Sequence, residues 1–126
     1  MTVPSPDIDY LIVGHVTADI GGNTRVIGGT ASYAAKTAHA FGLRVGVLTS
    51  TQPDESLLAH LSPTAAIHNI HASHTTTFEN VYIGDMRKQY VRHVAERLNA
   101  DAIPDGWRNV PLLHVAPLVD EVDPGM

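Results

Sequence analysis

The strongest constraint on this chain is a strand, glycine turn, helix and strand that follow one another near its start. Tyr10-Leu11-Ile12-Val13 is a continuous apolar run stopped by Gly14. That is the pattern of a strand buried on both faces of a parallel sheet. The chain then turns polar and glycine-rich from Val16 to Gly29. Asp19-Ile20-Gly21-Gly22-Asn23 reads as a strand end and turn, and Thr24 to Ile27 as a short returning strand. After Gly28-Gly29, residues Ala31, Ala34, Ala35, Ala38 and Phe41 fall on one face of a 3.6-residue period. Thr30 or Ser32 is the expected cap of that helix and Gly42 its stop. Its alanine-rich face suits close packing on a sheet. Val45 to Leu48 is a second buried strand, which completes the βαβ grammar of an α/β domain.

Further along, Pro53-Asp54 opens a short helix ending near Leu61, with Pro63 closing it. Ala66 to Ile70 and Thr75 to Ile83 read as strands. Met86, Tyr90, Val94 and Leu98 have helical spacing, yet Tyr90, Arg92 and Val94 also alternate with Val91 and His93. The Gly84-Asp85 turn decides for a hairpin strand over about Lys88 to Val94. Asp101 to Trp107 holds at most a helical turn, and Leu112 to Ala116 reads as another buried strand stopped by Pro117. In α/β architecture such a strand expects a following helix and more strands. Val119 to Met126 provides neither, so the expectation is a truncated domain.

Composition narrows the partners. The 126 residues fit one domain, with a formal charge of −5 and no basic stripe, which gives no footprint for nucleic acid. The chain has no cysteine, which excludes disulfides and thiolate metal sites. The run at Tyr10 is far too short to span a bilayer, and Met1 to Asp9 lacks a secretion signal's basic start and apolar stretch. A soluble cytoplasmic protein with no membrane partner is the expectation.

Three segments together resemble the N-terminal region of the PfkB family, the ribokinase-like sugar and nucleoside kinases. Asp9 to Asp19 looks like the family's first strand, with Gly14 and then Asp19. Gly28-Gly29-Thr30-Ala31-Ser32-Tyr33-Ala34-Ala35, followed by Ala38 and Phe41-Gly42, is similar to its double-glycine helix start and closing glycine. Leu43 to Thr49, with Asp54 beyond, resembles the next strand and the acidic residue after it. Three departures stand out. Tyr33 occupies the place of an asparagine usual in the family, the glycines that flank the aspartate at Asp54 are missing, and the glycine-alanine-glycine-aspartate signature is absent.

The resemblance implies a ribokinase-like fold: the N-terminal part of a three-layer sandwich with a central, mostly parallel sheet and a small β lid. It implies transfer of the ATP γ-phosphoryl group to a hydroxyl of a sugar, polyol or nucleoside, with ATP and Mg²⁺ as the family's cofactors. Residues 1–126 would be the substrate-binding and lid part, without the C-terminal ATP-binding part. No catalytic residue is assigned, no tight ATP or Mg²⁺ binding is expected, and no turnover is expected from this chain alone. A homodimer contact through the lid comes with the resemblance. The alternative is a non-catalytic module that binds a small molecule or a partner.

The candidate substrate-binding residues are Asp19, Gly28, Gly29, Thr30, Thr17 and Tyr33. A carboxylate near the C-terminal end of a strand can accept two hydroxyl hydrogen bonds at the edge where open α/β sheets bind ligands. Gly28-Gly29 let a ligand approach the backbone at a helix N-terminus. Tyr33 either stacks on a ring-shaped substrate or fills the gap between sheet and helix. His15 either lines the pocket or packs. His68, His71 and His74 alternate between strand faces and are not read as a metal site, and Asp120, Glu121 and Asp123 read as a solvated acidic tail.

Overall fold

The structure, a computed structural model, describes residues 7–125. The stretch ahead of Asp7, on which the signal-peptide argument partly rested, lies outside them, as does Met126. Two four-stranded sheets and one α-helix organise the described residues. The first sheet is entirely parallel, in the order β5 (Ala66–His71), β4 (Val45–Thr51), β1 (Tyr10–Val13), β8 (Leu112–Val115). The second runs β3 (Thr24–Gly28), β2 (Thr17–Gly21), β6 (Thr77–Ile83), β7 (Met86–His93). Its β2–β3 and β6–β7 pairs are antiparallel hairpins, joined by parallel pairing of β2 with β6. The mixed α/β class and the parallel core sheet are those expected from the sequence.

The parallel sheet is covered on both faces, so it has three layers. Against one face lies helix α1 (Thr30–Ala40), packing Ala31, Ala35 and Ala38 on Ile12, Val45 and Val47. Small side chains let the helix backbone approach the sheet, and each fully buried valine or isoleucine contributes roughly 1.5–3 kcal/mol. The opposite face carries Leu11, Val13 and Leu48 under Ile8, Leu98, Trp107 and Val122. This layer is built from the segment around Ile8, the bridged Leu98 and Val122, and two short 3-10 turns, Ala100–Ala102 and Asp105–Trp107, rather than from an α-helix.

Several local expectations need correction. Neither Thr30 nor Ser32 caps α1 through its side chain. Gly29 is the capping position, and the Ser32 hydroxyl donates back to the Gly28 carbonyl at 2.7 Å. Phe41, expected on the buried face, ends the helix and is 81% exposed, because the chain turns away at Gly42 (φ 83°). The short helix expected from Pro53 is a 3-10 segment, Ser56–His60. Of Leu112 to Ala116, expected to be a buried strand, Leu112–Val115 forms edge strand β8, on which Leu112, Leu113 and Val115 stay about half exposed for want of a neighbour on the outer side, while Ala116 beyond it is buried.

Where the second sheet leaves the first, the interior is polar. His15, Thr17, Thr49, Ser50, Thr51, Glu55, Thr75, Thr76, Thr77 and Glu121 are all buried at this seam. Each buried polar group there needs a partner, since an unpaired one costs about 1–3 kcal/mol. The partners bind the two sheets together: Val16 N–H donates to Thr49 Oγ1 at 2.8 Å, Gln52 N–H to Thr75 Oγ1 at 3.2 Å, and Glu96 N–H to Ser50 Oγ at 3.1 Å.

Candidate functional site

The site grows out of β2. Successive strand side chains alternate between faces, so Thr17 and Asp19 point the same way. The Thr17 hydroxyl donates to Asp19 Oδ1 at 2.8 Å, which fixes the carboxylate and leaves Oδ2 for another donor. Antiparallel pairing sets Thr17 opposite Gly28. A Cβ on Gly28 would lie 2.1 Å from Asp19 Oδ2, so the carboxylate fills the space that any larger residue would need. Gly29 has φ 90°, and a Cβ there would meet the His15 carbonyl oxygen at 2.7 Å. The two glycines therefore have different duties. Gly28 admits the carboxylate, and Gly29 turns the chain into α1 in a conformation that L-residues rarely adopt. The helix start carries no side-chain cap, and the Ser32 amide bonds the Gly29 carbonyl at 3.1 Å, so it is the Thr30 and Ala31 N–H groups that remain available to an oxygen acceptor.

A cavity of about 310 Å³ opens at this point, lined by Thr17, Asp19, Gly29, Thr30, Tyr33, Phe78, Gln89 and Leu118. Its volume lies at the small end of the ~300–1,000 Å³ range of ligand pockets. Five of the six residues singled out from the sequence line it, and Gly28 lies directly behind Asp19. Asp19 itself stands in the interior of β2 in the second sheet, not at the end of a core strand as expected, because Gly14 to Val16 carry the chain out of the first sheet before β2 begins. Tyr33 does not fill the gap between sheet and helix. It is 67% exposed and faces the cavity mouth. Phe78, Gln89 and Leu118 were missed by sequence reasoning, since they arrive from β6, β7 and the segment after β8.

Beneath the cavity, His15 is fully buried and packs rather than lining the pocket. Its Nε2 lies 2.6 Å from the Glu96 carbonyl, which can only accept, so Nε2 carries the proton. Nδ1 lies 2.6 Å from Thr76 Oγ1, and the Thr76 hydroxyl also accepts from Ala95 N–H at 2.9 Å. Burial pushes the imidazole below its ordinary pKa, opposed by the Glu96 carbonyl and by the Glu121 carboxylate 3.6 Å from Nδ1. Glu121 is accordingly no part of a solvated tail. It is buried and accepts from the Leu118 and Val119 amides.

A second buried carboxylate anchors the small sheet from its other side. Glu55 takes a two-pronged hydrogen bond from the Arg25 guanidinium of β3, with Nη1 to Oε2 at 3.0 Å and Nη2 to Oε1. It also accepts from the Thr75 hydroxyl at 2.7 Å and from Leu57 N–H at 3.1 Å. The Arg25 bond does most to hold its carboxyl down at about 2, against the opposing effect of burial. Asp54, the residue matched to the family's acidic position, is exposed with φ 62°, and the neighbouring Glu55 is the acid built into the interior.

Elsewhere His68 meets Trp107 edge-on, and His74 stacks on His93 with centroids 4.1 Å apart. Among the described residues no three His, Asp or Glu side chains converge as a metal ion would require, and no helix is long and apolar enough to cross a membrane.

No protein-family model matches the sequence, and no curated protein does. Solved structures do. A pyrophosphate-dependent kinase in the ribokinase family, complexed with a pyrophosphate analog and myo-inositol, superposes with a TM-score of 0.73 at 22% identity, covering 90% of this chain and 42% of that one. A pyrophosphate-dependent myo-inositol-1 kinase converted into a myo-inositol-3 kinase by two substitutions gives 0.71 at 20% identity, over 90% of this chain and 40% of that one. A PfkB protein from Polaromonas sp. JS666 gives 0.62 at 16%, over 77% and 40%. The fold is that of the ribokinase-family (PfkB) kinases, and the chain spans about two-fifths of the length of the structures it matches.

Proposed function

We propose that this chain supplies the acceptor-binding and lid part of a PfkB-type kinase, holding a sugar, polyol or nucleoside whose hydroxyl receives a phosphoryl group. One observation carries the reading. Asp19 Oδ2 is left unbonded by Thr17 and pressed over a residue with no side chain, and Asp19 lines a cavity at a helix start. A carboxylate so placed accepts hydrogen bonds from hydroxyls, while the Thr30 hydroxyl and the helix amides can meet the oxygens of the same ligand. The second sheet covers the cavity as a lid, which excludes water and so favours transfer to the acceptor over hydrolysis.

These residues fit the acceptor and not the phosphoryl donor. Ribokinase-family kinases in general use ATP with Mg²⁺, which supplies the transferable phosphoryl group and neutralises its charge. The glycine-alanine-glycine-aspartate signature that would hold the donor in that family is absent from this sequence, so no donor site is assigned here and no transfer is expected from the chain alone. Robust consumption of ATP or pyrophosphate with a polyol panel would contradict that.

Calorimetric titration with sugars, cyclitols and nucleosides tests the acceptor reading. Asp19→Asn should weaken binding on the order of ten- to a hundred-fold, the range set by losing a hydrogen bond to a charged group. No binding by the native chain, or equal binding by the variant, refutes it.

The expected lid homodimer is part of the same proposal. Tyr82, Ile83, Met86 and Val91 on the lid's outer hairpin are more than half exposed, an apolar surface on which a second copy would seat.

A further inference from the structure

We propose that Glu121 is a positioning residue for the cavity: it grips the Leu118 and Val119 amides, holds Leu118 as the cavity wall, and lets a proton on His15 loosen that wall. The inference rests on the acceptor reading above. It adds a residue, buried beneath the site, that couples the site to pH.

Leu118 is held from beneath. It lines the 310 Å³ cavity, and a Cβ on Gly29 would stand 3.5 Å from Leu118 Cδ1, so this side chain overhangs the helix start. The chain there has left β8, and Pro117 has no N–H to donate. Both amides that follow turn to one carboxylate. Leu118 N–H reaches Glu121 Oε1, and Oε2 at 3.2 Å, while Val119 N–H reaches Oε2 at 3.3 Å. Asp120, with φ 60°, folds the turn so that Glu121 reaches back. The main chain of Glu121 is itself anchored. Its carbonyl accepts from Leu98 N–H at 2.6 Å, and Asp123 N–H donates to the Leu98 carbonyl at 2.8 Å. One buried side chain thus ties the cavity wall to the layer under the first sheet.

His15 stands against that grip. Its Nδ1 lies 3.6 Å from Glu121 Oε2, with both side chains wholly buried. Glu121 is the charged group that faces the ring. Ahead of β6 comes the uncharged Thr76 hydroxyl, and after β7 the carbonyl of Glu96, a residue otherwise exposed. On β2 the Asp19 carboxylate is engaged by Thr17. With the ring neutral, Nε2–H donates to the Glu96 carbonyl. The Thr76 hydroxyl accepts from Ala95 N–H and gives its own proton to Nδ1. Glu121 then keeps both oxygens for the two amides. A proton on Nδ1 reverses this. Nδ1 no longer accepts from Thr76, and the charged acceptor beside it is Oε2. A charge-assisted bond to the imidazolium draws Oε2 away from Val119 N–H and leaves Leu118 with one bond. The wall over Gly29 loosens. Burial disfavours the charged ring, so the change falls below the ordinary histidine value of 6.5.

Two readouts on the full chain, followed from about pH 7.5 to about pH 5, test this. The first needs no ligand. In amide spectra Leu118 and Val119 should shift together with the His15 ring, at one midpoint below 6.5, and should stay still in His15→Gln. The second is calorimetry with myo-inositol, D-ribose and adenosine as probes. Affinity of the native chain should fall about five-fold across that midpoint, the loss of one hydrogen bond. Glu121→Gln should bind about five-fold more weakly at neutral pH and show no pH dependence, because its carboxamide offers one acceptor oxygen to two amides. A residue that merely supported the fold would lower stability and leave the pH dependence of binding in place. If Glu121→Gln does not fold, His15→Gln carries the test and should bind equally at both ends of the range. Leu118 and Val119 amides that ignore pH, or that titrate alike in His15→Gln, overturn the proposal. If native binding is flat with pH while Asp19→Asn removes it, the acceptor site stands and this inference falls. If the native chain binds no probe, both fall.

Discussion

Replacing Glu55 with glutamine removes one negative charge from the junction of the two sheets while keeping nearly the same shape. The side chain of Glu55 is 1% exposed and that of Arg25 is 39% exposed, so the pair is buried at the acid end and wet at the basic end. Holding the Glu55 carboxyl at about 2 instead of 4.5 corresponds to roughly 3 kcal/mol at ~1.4 kcal/mol per pKa unit. The folded-state value is the depressed one. This contribution is therefore present in full above about pH 4.5 and is lost as the pH falls toward 2. The glutamine can still accept from Thr75 or Leu57 but loses its ionic hold on Arg25, whose exposed side recovers water. A loss of about 2–3 kcal/mol at pH 7 follows, together with a flatter decline in acid. Urea unfolding of native and variant chains at pH 7, 5, 4 and 3 measures it. The two curves should be well apart at pH 7 and converge in strong acid. Equal stability at pH 7, or a constant gap down to pH 3, would refute the argument that a buried charged latch ties the second sheet to the first.

Two further outcomes follow from the same interior and surface. His15 has its imidazole pKa lowered mainly by burial, so the unfolded chain takes up a proton before the folded one does. Stability should thus fall as the pH drops below about 6.5, and His15→Gln should flatten the profile between pH 7.5 and 5.5 in thermal melts; an unchanged profile would place the effect on another histidine. Light scattering at rising concentration should find a dimer that Ile83→Lys and Met86→Lys dissociate, and a native chain that stays monomeric at high concentration rules out the lid contact.

What the sequence made legible was whatever repeats locally. The apolar run at Tyr10 and the alanine spacing of α1 each lie within one element, the Gly84-Asp85 hairpin signal lies in the turn between two neighbouring strands, and apart from Phe41 these patterns put the elements where they are. Thr17, Asp19, Gly29, Thr30 and Tyr33 come together because they all flank the single β2–β3–α1 passage. Phe78, Gln89 and Leu118 complete the cavity from β6, β7 and the segment after β8, far along the chain, and nothing in their own neighbourhoods marks them.

The polar seam was hidden for a related reason. Pattern reading sends polar residues to the surface, yet His15 meets Thr76, Glu55 meets Arg25 and Thr75, and Glu96 N–H meets Ser50, each pair distant in sequence. Every one of these groups would look solvated to a reader of its own segment, as Glu121 did among Asp120 and Asp123. A threonine-rich seam can be buried only because the second sheet leaves the first there and its strand ends bring unpaired donors and acceptors with them. An apolar seam would leave those backbone groups unpaired, at a cost of about 1–3 kcal/mol each. The polarity of the seam is therefore what joins a second sheet to the end of a parallel one, and the same junction sets Asp19 over Gly28 beside the start of a helix.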